Sequence, residues 1–270
     1  AIGSTGTHLL ATVSKSVNHG SDGSKSLSMS FSFKIRATLS GTYYDSISGS
    51  TTVTMDSIPR ASSVSMKDTA MGSAGTITIS RASSSFTHTL VYTFGTAKGT
   101  IATKTTATSV SWTPPLSLAN QIPNAVSGVG TLTCTTYNGN TSVGSKSVNF
   151  TLTVPASVKP TLTSITAARI DGDVPSSWGI YVQNKSSVKL TINGAAGAYG
   201  STIKSYSISG GSYAGTGSTL TTGALVSSGS LTFTGKVTDS RGRVSDAKTV
   251  TISVVAYSAP AFSSYLSQRC

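Results

Sequence analysis

Apolar and polar residues alternate with a period of two along most of the chain. Leu27, Met29, Phe31, Phe33 and Ile35 point one way, with Ser28, Ser30, Ser32 and Lys34 between them. That pattern predicts a pleated strand with one buried face. The preceding run Asn18-His19-Gly20-Ser21-Asp22-Gly23-Ser24 is dense in turn formers and should reverse the chain into it. Thr42–Ile47 and Thr51–Met55 read as two further strands. At Ile58-Pro59-Arg60 the proline removes a backbone donor and interrupts the sheet, which puts a first boundary at residue 60.

Residues 61–155 follow a similar grammar. Ile77 and Ile79 alternate with Thr76, Thr78 and Ser80, and Phe86, His88, Leu90, Tyr92 and Phe94 share one face of a strand. Trp112 ends a later strand and reads as core. The stretch from Pro114-Pro115 to Pro123 is the one place where a helical turn is expected. Asn138-Gly139-Asn140 is the strongest hairpin signal, and the return strand carries Val148, Phe150, Leu152 and Val154 before Pro155. Residues 156–258 echo this segment. Val188, Leu190 and Ile192 alternate, Leu231 and Phe233 run on to Val237, a turn falls at Asp239-Ser240-Arg241-Gly242, and Val250, Ile252 and Val254 return. A repeat of about 100 residues with about seven short strands predicts two tandem immunoglobulin-like β-sandwiches in an all-β chain. Neither repeat has the paired Cys and intervening Trp of antibody domains, so the likeness is architectural. Residues 259–270 read as the start of a further, truncated module.

Composition narrows the classes further. The chain holds 51 Ser and 42 Thr, no Glu, and only 10% charged residues. Such a chain is neither a helical bundle nor a coiled coil, whose surfaces need Glu, Lys and Ala. With 37% hydrophobic residues in regular alternation it is not simply disordered either. No apolar run approaches the about 18 residues that span a bilayer, so no membrane partner is expected. The net charge of +12 arises mainly from a shortage of acids, and Lys and Arg stand singly apart from small groupings such as Arg241 with Arg243. A nucleic-acid binder would concentrate basic residues into a stripe with stacking aromatics, so nucleic acid is not an expected partner. A diffuse positive field favours acidic glycans, teichoic acids or an acidic neighbouring subunit. Cys134 and Cys270 give no disulfide framework, and Cys134, on the face of Leu132, reads as a buried thiol.

Several motifs together carry a resemblance. Val17-Asn18-His19-Gly20-Ser21-Asp22-Gly23-Ser24-Lys25 resembles a V-x-H-x-x-D-G-x-K signature, and Ile58-Pro59-Arg60-Ala61-Ser62 resembles the linker that follows it. Ile79 to Leu90, Gln121-Ile122-Pro123-Asn124, Val237 to Arg243 and the closing Arg269-Cys270 are similar to successive immunoglobulin-like repeats of the same proteins. These are minor structural tail proteins of siphophages infecting Gram-positive bacteria. The resemblance implies that residues 1–60 are the C-terminal part of a jelly-roll-like domain plus linker, with opening strands missing before Ala1. It implies a virion protein of a tail tip, fibre or baseplate, with other tail proteins as partners, and it permits a homotrimer.

Candidate chemistry is sparse. A glycosidase needs two carboxylates across a scissile bond, and Asp171-Gly172-Asp173 is the one close pair, in a context where Asp builds turns. His8, His19 and His88 lie far apart without ligand spacing, and His88, on an apolar strand face, reads as a hydrogen-bonded core residue. No enzyme activity, metal or cofactor is expected. Sugar binding stays open, because lectin-like sites set an aromatic face against a sugar ring. Tyr43, Tyr44, Trp178, Tyr181 and Tyr213 are the candidate glycan contacts, with Trp178 expected to be partly exposed between Pro175-Ser176-Ser177 and Gly179. The alternative for each tyrosine is a packed ring with its hydroxyl at the surface. The leading expectation is a structural spacer, and the second a receptor-binding module for cell-wall polysaccharide or teichoic acid. A hydrolase of surface polymer comes third.

Overall fold

The computed structural model describes residues 12, 14–19, 23–36, 43–55, 58–264 and 268–269, with the side chains of 33–36 and 43–47 outside that description. His8 and Asp22 lie outside the described residues. The alternating segments form β1 (Lys25–Arg36), β2 (Tyr43–Met55), β3 (Ser63–Met66), β4 (Thr69–Ala70), β5 (Gly75–Ser80) and β6 (Phe86–Phe94). They continue as β7 (Ala97–Thr105), β8 (Ser109–Trp112), β9 (Ser127–Asn138), β10 (Thr141–Thr153), β11 (Ser164–Ile170) and β12 (Tyr181–Val182). The last are β13 (Ser187–Asn193), β14 (Ile203–Gly210), β15 (Tyr213–Gly215), β16 (Thr219–Thr221), β17 (Gly229–Asp239) and β18 (Lys248–Val255).

β1 and β2 pair as an antiparallel hairpin from Lys25↔Met55 to Arg36↔Tyr43. The two strands expected within residues 42–55 are one, because the Ser-Gly-Ser between them stays extended opposite Phe31, whose ring lies over Gly49. Of the remaining jelly-roll-like segment, residues 14–19 form no strand and residues 1–11 lie outside the description.

The next strands close into sandwich 1. β3-β5-β8 form one sheet and β4-β10-β9-β6-β7 the other, with β4 parallel to β10. Sandwich 2 repeats this order strand for strand, with β11-β13-β16 against β12-β18-β17-β14-β15 and β12 parallel to β18. In both, the first strand divides between the two sheets, as in immunoglobulin-like modules. The inward residues of each alternation fill the cores: Ile77, Leu90, Leu132 and Leu152 in sandwich 1, Val188, Leu190, Ile208 and Phe233 in sandwich 2. Burial of each such side chain contributes about 2 kcal/mol. Trp112 lies edge-on to Phe150 at 5.6 Å, and Phe150 crosses Gly130 on the neighbouring strand, where any side chain would collide with its ring.

The outward residues explain the hydroxyl content. Thr133 faces Ser147 at 2.9 Å and Thr135 faces Ser145 at 2.8 Å across β9 and β10, and Thr232 faces Thr251 at 2.8 Å across β17 and β18. Cross-strand hydroxyl pairs of this kind tie strands together without charge. The turn expected after Pro115 is a 3-10 turn at Leu116–Gln121. A second, at Ser176–Trp178, spans three residues, too short to show a helical period in the sequence.

His88 is fully buried, with its Nε2 2.8 Å from Ser62 Oγ, and the Ser62 amide donates to Thr136 Oγ1 at 2.9 Å. This polar knot ties the start of sandwich 1 to β6 and β9. Burial, first, and the charge of Arg81 hold His88 below the usual 6.5. The unfolded chain therefore takes up the proton first as pH falls. The stability that neutral His88 contributes is complete above 6.5 and is lost as pH drops through the lowered folded value. The melting temperature should thus fall as pH drops below 6.5, and His88→Gln should flatten that slope. An equally steep acid slope in the variant would show that His88 does not titrate on unfolding.

Candidate functional site

Three of the five aromatic candidates have described side chains, and all three belong to sandwich 2. Tyr43 and Tyr44 begin β2, and their side chains lie outside the description. Trp178 stands on the 3-10 turn, 61% exposed. Pro175 opens that turn, and Gly179 closes it at φ 63, a conformation that suits glycine. Arg169, near the end of β11, holds the turn from beneath. Its Nη2 donates to the Ser176 carbonyl at 2.7 Å and its Nη1 to that of Ile180 at 3.0 Å, while Asp171 Oδ1 pairs with Nη2 at 2.6 Å.

Tyr181 follows on β12, half-buried beside Val254, and burial raises its hydroxyl above the usual range. Tyr213 has a different job. Its hydroxyl donates to the Ala224 carbonyl at 2.8 Å and accepts from the Val226 amide at 2.9 Å, with its ring 6.2 Å from Phe233. It pins the 224–226 loop, and its polar handle is already engaged.

The end of sandwich 2 that carries Trp178 also exposes Val226, Val255 and Tyr257. Gln183 knits it together, donating to the Val226 carbonyl at 2.9 Å and accepting from the Tyr257 amide at 3.4 Å. Lys185 Nζ lies 5.5 Å from the centre of the Tyr257 ring and 3.3 Å from Asp173 Oδ2. Tyr257 was not a sequence candidate, since it sits just beyond the alternation of β18 without a turn signal of its own. Asp171 and Asp173 each pair with a cation, so this close pair of carboxylates braces loops. Among the described residues, no three His, Cys, Asp or Glu side chains gather where a metal could be held.

The opposite end of sandwich 2 meets sandwich 1, and there the residues that the sequence marks as a turn and a small basic grouping come together. The hairpin after β17 carries Asp239, Ser240, Arg241 and Arg243 into the joint. Arg241 is 7% exposed, and its guanidinium donates to four carbonyls. Nε reaches Ile122 at 3.2 Å and Nη2 reaches Ala119 at 2.8 Å in sandwich 1. Nη1 reaches Ala198 and Nη2 also reaches Tyr199, each at 2.7 Å, in sandwich 2. Arg243 donates to the carbonyls of Val154, Pro155 and Val158 in the connecting segment. Ser240 Oγ donates to the Pro123 carbonyl at 2.6 Å, and Ala198 packs on the apolar core of sandwich 1.

Beneath them lies Asp239, fully buried, with Oδ1 accepting from the Arg241 and Arg243 amides at 3.0 and 2.9 Å. Burial lowers the affinity of Arg241 for its proton, the Asp239 charge works the other way, and a guanidinium in proteins stays charged regardless. Hydrogen bonds from a charged donor are each worth about 1.5–3 kcal/mol, and buried carbonyls left without one cost a comparable amount. Arg241→Ala should therefore destabilise the chain by about 3 kcal/mol and widen the distribution of inter-sandwich distances in solution scattering. Arg241→Lys should recover only part of both, since an ammonium cannot fork to four carbonyls. An unchanged scattering profile in Arg241→Ala would mean that the joint is held by other contacts.

The family model described as "Siphovirus protein of unknown function (DUF859)" matches residues 5–270. No curated protein matches the chain. Among solved structures, the fibronectin(III)-like modules of CbhA from Clostridium thermocellum are similar, at 14% identity and a TM-score of 0.30, over 72% of this chain and 95% of that one. The FN1–FN3 domains of chicken CNTN1 are similar at 11% identity and a TM-score of 0.27, over 84% of this chain and 77% of that one.

Proposed function

Because the chain belongs to that siphovirus family, we propose that it is a structural, non-enzymatic virion protein of the phage tail, in a tip, fibre or baseplate serving a Gram-positive host. Its sandwiches are spacers held at a fixed angle, and its outer faces meet other tail proteins. The observation that carries this reading is the joint, where Arg241 closes four carbonyls from two modules inside one buried contact. A hinge made to swing would leave those groups to water, whereas a spacer needs them locked. The hydroxyl-paired sheet faces, whose charges are scattered lysines such as Lys146 and Lys236, fit assembly outside the cell. Gold-labelled antibody raised against sandwich 1 should decorate the tails of purified particles, and particles that lack the label would overturn the reading. Deleting residues 61–155 should shorten the appendage while particles still assemble. Complete loss of assembly would argue against a spacer.

Trp178 favours a second reading, a receptor-binding module for cell-wall polysaccharide or teichoic acid. Its ring is held out on a braced turn, and a net charge of +12 would draw an anionic polymer. Retention on purified cell walls should then fall as salt rises and drop severalfold in Trp178→Ala. No retention even at low salt removes this reading.

A further inference from the structure

The two ends of each sandwich are not alike, and the internal repeat shows what covers one of them. Strand pairing sets the equivalences. The Met71 amide donates to the Thr153 carbonyl where β4 meets β10, and the Gln183 amide donates to the Val255 carbonyl where β12 meets β18. Thr153 and Val255 therefore hold the same place, and Ala256 and Tyr257 stand where Val154 and Pro155 stand in sandwich 1. The carbonyls of Val154 and Pro155 are taken by Arg243 of the next module. Those of Ala256 and Tyr257 receive no hydrogen bond among the described residues.

We infer that the end of sandwich 2 bearing Trp178 and Tyr257 is a docking surface for an immunoglobulin-like module that presents an arginine hairpin of the Asp239–Arg243 kind.

Two further observations select that occupant. The segment after β18 resembles the earlier connection with two residues fewer: Pro160-Thr161-Leu162 begins seven residues after Thr153, and Pro260-Ala261-Phe262 five after Val255. Leu162 is 5% exposed in the core of sandwich 2, and Phe262 is 93% exposed. Charge agrees as well. Asp171 and Asp173 stand at this end with side chains 46% and 79% accessible, each with one cationic partner. A carboxylate can accept a second, forked donor, so each of the two can also receive a guanidinium. The exposed rings of Trp178 and Tyr257 supply the apolar rim that such an anchor needs. The inference concerns this module end and does not depend on where in a virion the chain sits.

The test appends a second copy of residues 156–258, carrying Trp178→Phe, directly after Tyr257 of the whole chain. The appended hairpin then faces the end of the resident sandwich. Hydroxyl-radical labelling of the resident Trp178 and Tyr257 should fall at least threefold relative to the chain without the appendage. It should recover when Arg241→Ala and Arg243→Ala are placed in the appended copy alone. Unchanged labelling beside a folded appendage overturns the inference. If the appended copy does not fold, a disulfide-closed peptide of residues 237–246 is titrated into the whole chain. Amide shifts confined to residues 178, 226, 256 and 257 support docking, and no shift at millimolar peptide overturns it. Protection of Trp178 in the whole chain by teichoic acid, with none from the hairpin, assigns the end to a glycan polymer and also overturns it.

Discussion

A guanidinium offered to backbone carbonyls is the interaction on which the order of this molecule depends. Where two sandwiches meet, the loops at their ends bring together carbonyls that no strand can pair, and burying them unpaired would cost more than the contact gains. Arg241 and Arg243 resolve this by supplying many donors from two side chains. The same device recurs on a smaller scale. Arg169 closes the turn beneath Trp178, and Arg81 donates to the Thr106 carbonyl at 2.7 Å. Arg81, Arg241 and Arg243 serve carbonyls without an ion pair among the described residues. The excess of positive charge is thus partly architectural, a consequence of how ends and turns are closed.

The sheet faces answer the complementary problem of a surface with scattered lysines and few acids. Outward Thr and Ser meet each other across neighbouring strands, so the backbone ladder is reinforced by side-chain pairs that are insensitive to salt. Thr also keeps the β-branched stiffness that favours a strand. Thr and Ser therefore do work that paired Lys and Glu do in a more ordinary domain. The cost is that the faces carry little chemical information, and distinctive chemistry retreats to the ends of the modules.

That division explains what could be read in advance. Alternation exposes strands, and the repeat of Leu132 to Val154 in Leu231 to Val254 exposes two like sandwiches, because inward positions must be apolar whatever the turns do. Trp178 was legible for a local reason, a large ring between Pro and Gly with no partner in register. The joint was not. In sequence Asp239 to Arg243 is a polar turn, and the carbonyl that Arg241 Nη2 meets in sandwich 1 lies 122 residues away. A carbonyl leaves no trace in a sequence, so neither partner announces the other. Tyr213 was legible as an aromatic, but its hydroxyl serves a loop 11 and 13 residues further on, which only the fold brings back.

The stiffness of such a chain resides in a few turn residues, and the two joints show it by contrast. In sandwich 1 the hairpin equivalent to Asp239–Arg243 is Asn138-Gly139-Asn140, without an arginine. Its neighbour Lys104 instead donates to the Gly139 carbonyl at 3.2 Å and lies over the Tyr137 ring at 3.6 Å, contacts that stay within the module. Toward the β1–β2 hairpin, the connection rests on the Ile58 amide with the Gly23 carbonyl at 3.0 Å and on the Ser62–His88 knot. One fold thus appears twice with the same strand order, and what changes from joint to joint is whether the last hairpin reaches outward with arginine. A change of two or three residues at that hairpin would convert a locked joint into a loose one while leaving both cores untouched. This is why the length and shape of a modular chain can vary independently of the stability of its modules.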